Sequence, residues 1–297
     1  MSKFLKSFRR NSLGYRLLLP ATAIICLVSI YPLLRGIYLG FTSHSLRRPH
    51  DVNFIGFRNF IDILSGGEQF YGALSFSFMY AFFVVAIAYV VGMSLALLLN
   101  KDIKFRSLFR AMILVPWVIP PAVAAINWTW ILSDQLGMIN ITLQRLGIIS
   151  SPILFLADQQ MARATVIITG AWRAFPFIMI VLLAGMQGIP DELYEAAEID
   201  GASRFRSFTN ITIPMLKPVS LISTTLMFIW MFNNFENIFL LTRGGPLRST
   251  FVLPILSYHT AFYRLQLGYA SAISVIMLVV LLFLALVYMR LLRTQQE

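Results

Sequence analysis

Two short stretches of this 297-residue chain set hydrogen-bonding groups inside otherwise apolar sequence. One is Trp172-Arg173-Ala174-Phe175-Pro176-Phe177, and the other is Trp230-Met231-Phe232-Asn233-Asn234-Phe235-Glu236-Asn237. Donors and acceptors flanked by aromatic rings suit a sugar, whose hydroxyls take hydrogen bonds while its apolar ring face packs on an aromatic face. The same residues have plainer readings. Arg173 and Glu236 can form a structural ion pair or cap near a membrane boundary, and the aromatics can serve helix packing. A third stretch, 188–217, is a polar island holding five of the 13 acidic residues: Asp191, Glu192, Glu195, Glu198 and Asp200. His44, His50 and His259 are scattered over predicted loops, so no metal site is expected. No GxxxxGK[ST] phosphate loop occurs, so the chain cannot hydrolyse ATP by that mechanism, and it is not expected to be an enzyme or to bind a cofactor.

The elements that would position these groups are membrane spans. With 58% hydrophobic residues, 12% charged and a mean hydropathy of +0.75, the chain lies far from the roughly 25% charged content of a soluble domain. The net charge of +11 could suggest nucleic acid. Yet the basic residues flank apolar spans and form no aromatic-interleaved patch, so a lipid bilayer is the expected partner and nucleic acid is not. Cys26, the single cysteine, rules out an intramolecular disulfide.

Apolar segments predict six transmembrane helices at about 17–41, 73–99, 111–133, 162–187, 218–241 and 265–291 in one membrane domain over 1–297. The first follows Lys3, Lys6, Arg9, Arg10 and Arg16 and is too long for a cleaved signal, so it reads as a retained span. Pro116, Pro120 and Pro121 should kink or break the third. Six spans put both termini on one side. Fourteen of the 24 Lys and Arg fall there, within the N-terminal segment, residues 100–110, the polar island and the C-terminal end. That bias predicts cytoplasmic N- and C-termini and a cytoplasmic polar island. Within the island, Pro190 and the acids behind it predict a helix to about Ile199, turned by Gly201, then a second segment at Ala202–Thr209 with a boundary at Pro214 and Pro218.

The island also carries a spaced pattern: Glu195-Ala196-Ala197, three residues ending at Asp200, Gly201, nine residues, then Ile211-Thr212-Ile213-Pro214. This resembles the EAA loop of permease subunits in binding-protein-dependent ABC importers, with Ile213 standing where that family has Leu. Thr242-Arg243-Gly244-Gly245-Pro246 and Gly268-Tyr269-Ala270-Ser271-Ala272 extend the similarity to the carbohydrate-type permeases, the maltose and glycerol-phosphate importers among them, over roughly residues 70–290.

The resemblance implies an all-α type I importer fold and a multi-pass subunit of a prokaryotic cytoplasmic membrane. Its partners would be a second homologous permease, two cytoplasmic ATP-binding subunits that hold ATP and Mg, and an extracytoplasmic solute-binding protein. Glu195, Ala196, Ala197, Asp200, Gly201, Ile211 and Pro214 would form the ATPase-coupling surface. The plainer reading of that loop is an amphipathic helix lying on lipid, which five acids oppose. In the maltose-importer permeases, the sugar contacts lie in and just before a W-x-x-x-P-aromatic and an F-N-N-F segment. Carried over, they fall on Arg173, Ala174, Phe177, Met227, Trp230, Met231 and Asn234, with Met231 replacing an amide, Met227 a hydroxyl residue and Arg173 an apolar one. The implied cargo is a carbohydrate such as an oligosaccharide. Glycerol phosphate or another polyol is the alternative that Arg173 suits. An ion-coupled secondary carrier is a reading of a different class; it predicts intramembrane carboxylates and inverted repeats, whereas Glu236 alone qualifies and no repeat is apparent.

Overall fold

In a computed structural model, the described residues are 12–66 and 68–293. They are almost wholly helical, with no strand among them and isolated bridges joining Thr42 to Phe54 and Ser45 to Arg48. Lys3, Lys6, Arg9, Arg10 and the chain ends, on which the expected orientation partly rests, lie outside the described residues.

Helices α1 (Ser12–Ile25) and α2 (Tyr31–Gly40) run together through a π-helical turn, Cys26–Ile30. There follow α3 (Arg58–Gly66), α4 (Glu68–Leu99), α5 (Arg106–Val118), α6 (Pro121–Ile131) and α7 (Met138–Arg145). The chain continues as α8 (Gln159–Gln187), α9 (Asp191–Ile199), α10 (Arg204–Ser207), a second π-helical turn at Phe208–Thr212, and α11 (Ile213–Phe232). Helices α12 (Glu236–Thr242), α13 (Leu253–Phe262) and α14 (Leu267–Arg293) complete it. Among the described residues, five stretches are long and apolar enough to cross a membrane, or six if the bent pair α5 and α6 is one span.

Proline acts differently at the two places where it was expected to interrupt helices. Pro116 stays inside α5, and the break falls at Ile119 and Pro120, both extended, with α6 leaving at 92°. Each of these residues precedes a proline, whose ring excludes the α conformation from its neighbour. Pro214 and Pro218, expected as a boundary, interrupt nothing: the helical run is continuous from Arg204 to Phe232. The π-helical turn at Phe208–Thr212 delivers the chain to Pro214 in the first turn of α11, where a missing N–H costs little. The run then ends at Phe232, short of the 241 expected, where Asn233 leaves the helix.

The described residues divide into two compact units. In the unit formed by Glu68–Leu256 with the described part of Val280–Glu297, α4 and α8 make the most extensive contact between helices. Small residues let their backbones approach, as helix pairs in lipid require. Ala88 and Ala96 are fully buried, a Cβ on Gly92 would lie 3.0 Å from Ile178 Cγ2 and Met179 N, and one on Gly170 would lie 2.6 Å from Tyr80 Oη. Hydrogen bonds made within the protein also tie these helices together, as a water-free setting favours. Ser77 Oγ donates to Ala73 O and accepts from Leu253 N at 2.8 Å each, and Tyr89 Oη donates to Ser220 Oγ at 3.0 Å, tying α4 to α11.

The other unit joins the described part of Met1–Gly67 to Ser257–Val279. Asn59 Nδ2 donates to the carbonyls of Gly40 and Thr42, both at 2.9 Å, closing the turn after α2. Leu46 N donates to Leu265 O at 2.8 Å and Gly268 N to His44 O at 2.9 Å. Gly268 is required here, because a Cβ would run into the Thr42 carbonyl.

Between α6 and α8 the chain, read from sequence only as loop 134–160, is organised by Asn140, 1% exposed. Its Oδ1 accepts from Ile153 N at 2.9 Å, and its Nδ2 donates to Ile153 O at 3.0 Å and to Ser133 O and Asp134 O at longer range. Asn140→Ala leaves buried backbone groups unsatisfied and is expected to cost about 1–3 kcal/mol. A lower unfolding temperature in detergent and faster proteolysis between residues 146 and 158 would show it.

Candidate functional site

The structure brings most of the sequence-derived path residues to one cavity of about 200 Å³. Arg173 and Ala174 reach it from the middle of α8; Met227, Trp230 and Met231 come from the last two turns of α11; Asn234 follows that helix. Phe177 does not line the cavity and instead meets the edge of Trp230, with ring centroids 5.1 Å apart. Trp117 of α5, Gly170 of α8, Glu236 and Asn237 complete the lining. Sequence reading missed Trp117 and Gly170. Trp117 sits one residue after Pro116 in a helix expected to break, so nothing marked its ring as facing Phe177, 6.1 Å away.

Hydrogen bonding separates framework from free groups. Asn237, buried, spends its Nδ2 on Val166 O and Thr169 Oγ1 at 3.3 and 3.2 Å, which fastens α12 to α8. Asn234 Oδ1 accepts from Asn237 N at 3.2 Å, leaving its amide nitrogen as the group available to the cavity. Asn233 is exposed, bonds back to Ile229 O and is not among the lining residues. Arg173 has no ion-pair partner among the described residues, and its Nε is buried without an acceptor. A cation in the middle of a span costs on the order of 3 kcal/mol even on the mildest scale, and such residues face cavities or partners. The ion pair with Glu236, one of the plainer readings of these two residues, is absent among the described residues: Glu236 opens α12, is exposed, and stands in the first turn where the helix dipole favours an acid.

The second assembly is the island that follows α8. Helix α9 begins after Pro190, which serves as its N-cap residue instead of taking the first helical position, and carries Asp191 and Glu192 in its first turn. It closes on Gly201 at φ +76°. Gly201 N donates to Glu198 O at 3.0 Å and Ala202 N to Ala197 O at 2.8 Å, the paired bonds of a Schellman ending. The spacing from Glu195-Ala196-Ala197 to Gly201 is thus the distance from one exposed helical turn to its left-handed stop. Ser203 Oγ accepts from Arg206 N and starts α10, later than the Ala202 expected.

Tyr194 Oη and Thr212 Oγ1 are 2.9 Å apart and bind α9 against the π-helical turn, next to the half-buried Ile211. Glu195, Ala196, Asp200 and Pro214 are exposed, and Ala197 is half-buried. Beside them Ile199 stands 87% exposed and Phe205 75%, two large apolar side chains on a polar surface, which reading by charge overlooked. At the other end of the island, Gln187, with its amide oxygen facing them, accepts from Nη2 of Arg106 and of Arg110 at 3.1 Å each. The start of α5 is thereby held to the end of α8, close to where α9 begins.

The Thr242–Pro246 segment forms a closed turn. Thr242 Oγ1 lies 2.7 Å from Thr250 Oγ1 and accepts from Gly244 N, and Gly244, at φ +88°, leaves no room for a Cβ against the Phe251 ring.

Apolar helices in the number and length for repeated membrane crossing, a small cavity lined by aromatic and hydrogen-bonding side chains, and an exposed helical loop define a multi-pass membrane permease. Residues 88–295 match the family described as the binding-protein-dependent transport system inner membrane component, and the chain belongs to that family. It is 34% identical to the trehalose/maltose transport system permease protein MalF of Thermococcus litoralis, over 98% of this chain and 97% of that protein. It is 32% identical to the sulfoquinovosyl glycerol transport system permease protein SmoG of Agrobacterium fabrum, over 95% and 91%. Its fold matches a chain of a bacterial alginate ABC transporter, solved in complex with an alginate pentasaccharide-bound periplasmic protein. The TM-score is 0.82 at 25% identity, covering 95% of this chain and 94% of that one.

Proposed function

We propose that this chain is the permease subunit of an ATP-driven importer that moves a carbohydrate, such as an oligosaccharide, across the cytoplasmic membrane of a prokaryote by alternating access. The observation that carries this reading is the single helical run from Arg204 to Phe232. It starts at the Gly201 stop of α9 and ends with Met227, Trp230 and Met231 at the cavity. At about 1.5 Å per residue a continuous helix transmits a displacement of one end to the other, so movement of the island reaches the cargo residues directly.

In this account both termini are cytoplasmic, and residues 188–217 form the coupling loop that docks on an ATP-binding subunit. Glu195 presents charge, Ala196 and Ala197 allow close approach, and Asp200, Gly201, Ile211 and Pro214 fix the shape of the loop. Ile199 and Phe205 supply the apolar contact. A second homologous permease pairs with this chain, two ATP-binding subunits hold ATP and Mg, and an extracytoplasmic binding protein delivers cargo. The relatives named for trehalose and maltose and for sulfoquinovosyl glycerol, and the solved importer of alginate, support a carbohydrate cargo. Glycerol phosphate or another polyol is a second reading, favoured by the unpaired Arg173.

Purifying the chain by affinity from membranes of cells that make the whole transport system tests the assembly. An ATP-binding polypeptide and a second permease are expected to come with it in stable proportion. Recovery of this chain alone under mild detergent would contradict the proposal.

A further inference from the structure

We propose that the cargo carries an anionic group, a carboxylate, sulfonate or phosphate on its sugar or polyol frame, and that Arg173 receives it in the cavity. The inference rests on the transport reading above and deepens it by naming the chemistry of the transported molecule.

Its basis is what remains unpaired once the framework bonds are removed. The charged residues that line the cavity are Arg173 and Glu236, and no ion pair joins them. Asn237 is consumed by α8, and the oxygen of Asn234 by the backbone of α12, so the donors left to the cavity are the guanidinium of Arg173, the amide nitrogen of Asn234 and the indole N–H groups of Trp117 and Trp230, of which the guanidinium alone is charged. Arg173 lies fourteen residues into α8, far from either helix end, so no helix dipole compensates its charge. Glu236, in contrast, sits at a helix start and points to no need for a counter-ion. A neutral sugar could take hydrogen bonds from these donors but would leave the guanidinium, whose Nε is buried without an acceptor, with no counter-charge, whereas a planar or tetrahedral oxyanion meets its fork. Trp117 and Trp230 line the same cavity and add aromatic surface on which a sugar frame can pack. At about 200 Å³ the cavity is smaller than the roughly 300–1,000 Å³ of a typical ligand site, so it reads one sugar unit or terminal group instead of a whole chain.

Proteoliposomes holding the complete importer, loaded with ATP and supplied with its binding protein, would be offered matched pairs. These are digalacturonate against digalactose, 6-sulfonated against plain glucosyl glycerol, and glycerol phosphate against glycerol. The acidic member of at least one pair is expected to enter at least about tenfold faster, and Arg173→Gln to reduce its uptake by at least about tenfold, because truncating one side of a buried charge pair is costly. Arg173→Lys should retain part of the uptake, which shows that a folded complex is under study, and Asn233→Ala, beside the cavity but not in its lining, should leave the acidic preference in place. Which pair responds identifies the source of the anion. Faster entry of the neutral members, acidic uptake indifferent to Arg173→Gln, or equal damage from Asn233→Ala would overturn the inference while leaving the importer assignment intact. Uptake of none of the six compounds, by a complex that does hydrolyse ATP, would count against the carbohydrate reading itself.

Discussion

Glu195→Lys and Gly201→Val are expected to abolish ATP-driven uptake while the chain still inserts in the membrane. The two changes act on different properties of the same loop. Gly201 holds φ at +76°, a conformation that a β-branched residue resists. Forcing valine there costs on the order of 1–3 kcal/mol and removes the paired bonds to Glu198 O and Ala197 O that stop α9. Nothing crowds the position, so the effect comes from backbone conformation and not from packing inside the chain. Glu195 is exposed and forms no ion pair among the described residues, so charge reversal leaves the fold of this subunit alone and alters only what it presents. Transport-coupled ATP hydrolysis and assembly should both fall at least about tenfold, the loss usual for a hot spot at an interface. Unchanged ATPase coupling in both variants would mean the loop is not the lever.

Gly92→Leu has the second large effect, this time on the fold. A Cβ at this position already comes within 3.0 Å of Met179 N and Ile178 Cγ2, and a backbone atom cannot rotate away. Overpacking a tight contact by even a few methylenes costs about 1–3 kcal/mol, and a whole isobutyl group on the α4–α8 contact exceeds that. Monodisperse protein in detergent should fall sharply for Gly92→Leu and partly for Gly92→Ala. Equal yields would show that the close approach of these helices is not what holds the unit together.

Membrane class and helical content were legible from composition, because no soluble core needs so little charge. The spaced pattern of the loop has a cause in backbone geometry: the helical turn of Glu195 to Ala197, the left-handed Gly201, and the half-buried Ile211 beside the buried Thr212. Proline effects were harder to read. Whether a proline ends a helix depends on what precedes it, and a π-helical turn before Pro214 or a second proline after Pro120 is set by tertiary packing as much as by residue type. The same limit applies to the cavity. The segments bearing Arg173 and Asn234 were marked by their polarity, but Trp117 comes from a helix distant in sequence and carries no polar signal. Asn237, which reads as a ligand by type, proves to be a fastener once its bonds to α8 are seen.

Solute flux in liposomes containing this chain alone, and in liposomes containing it with the second permease, the ATP-binding subunits and the binding protein, tests the central claim most directly. The account predicts no carbohydrate uptake by the isolated chain under any proton or sodium gradient, and uptake by the full assembly that starts when ATP is supplied inside. Gradient-driven uptake by the chain alone would contradict it.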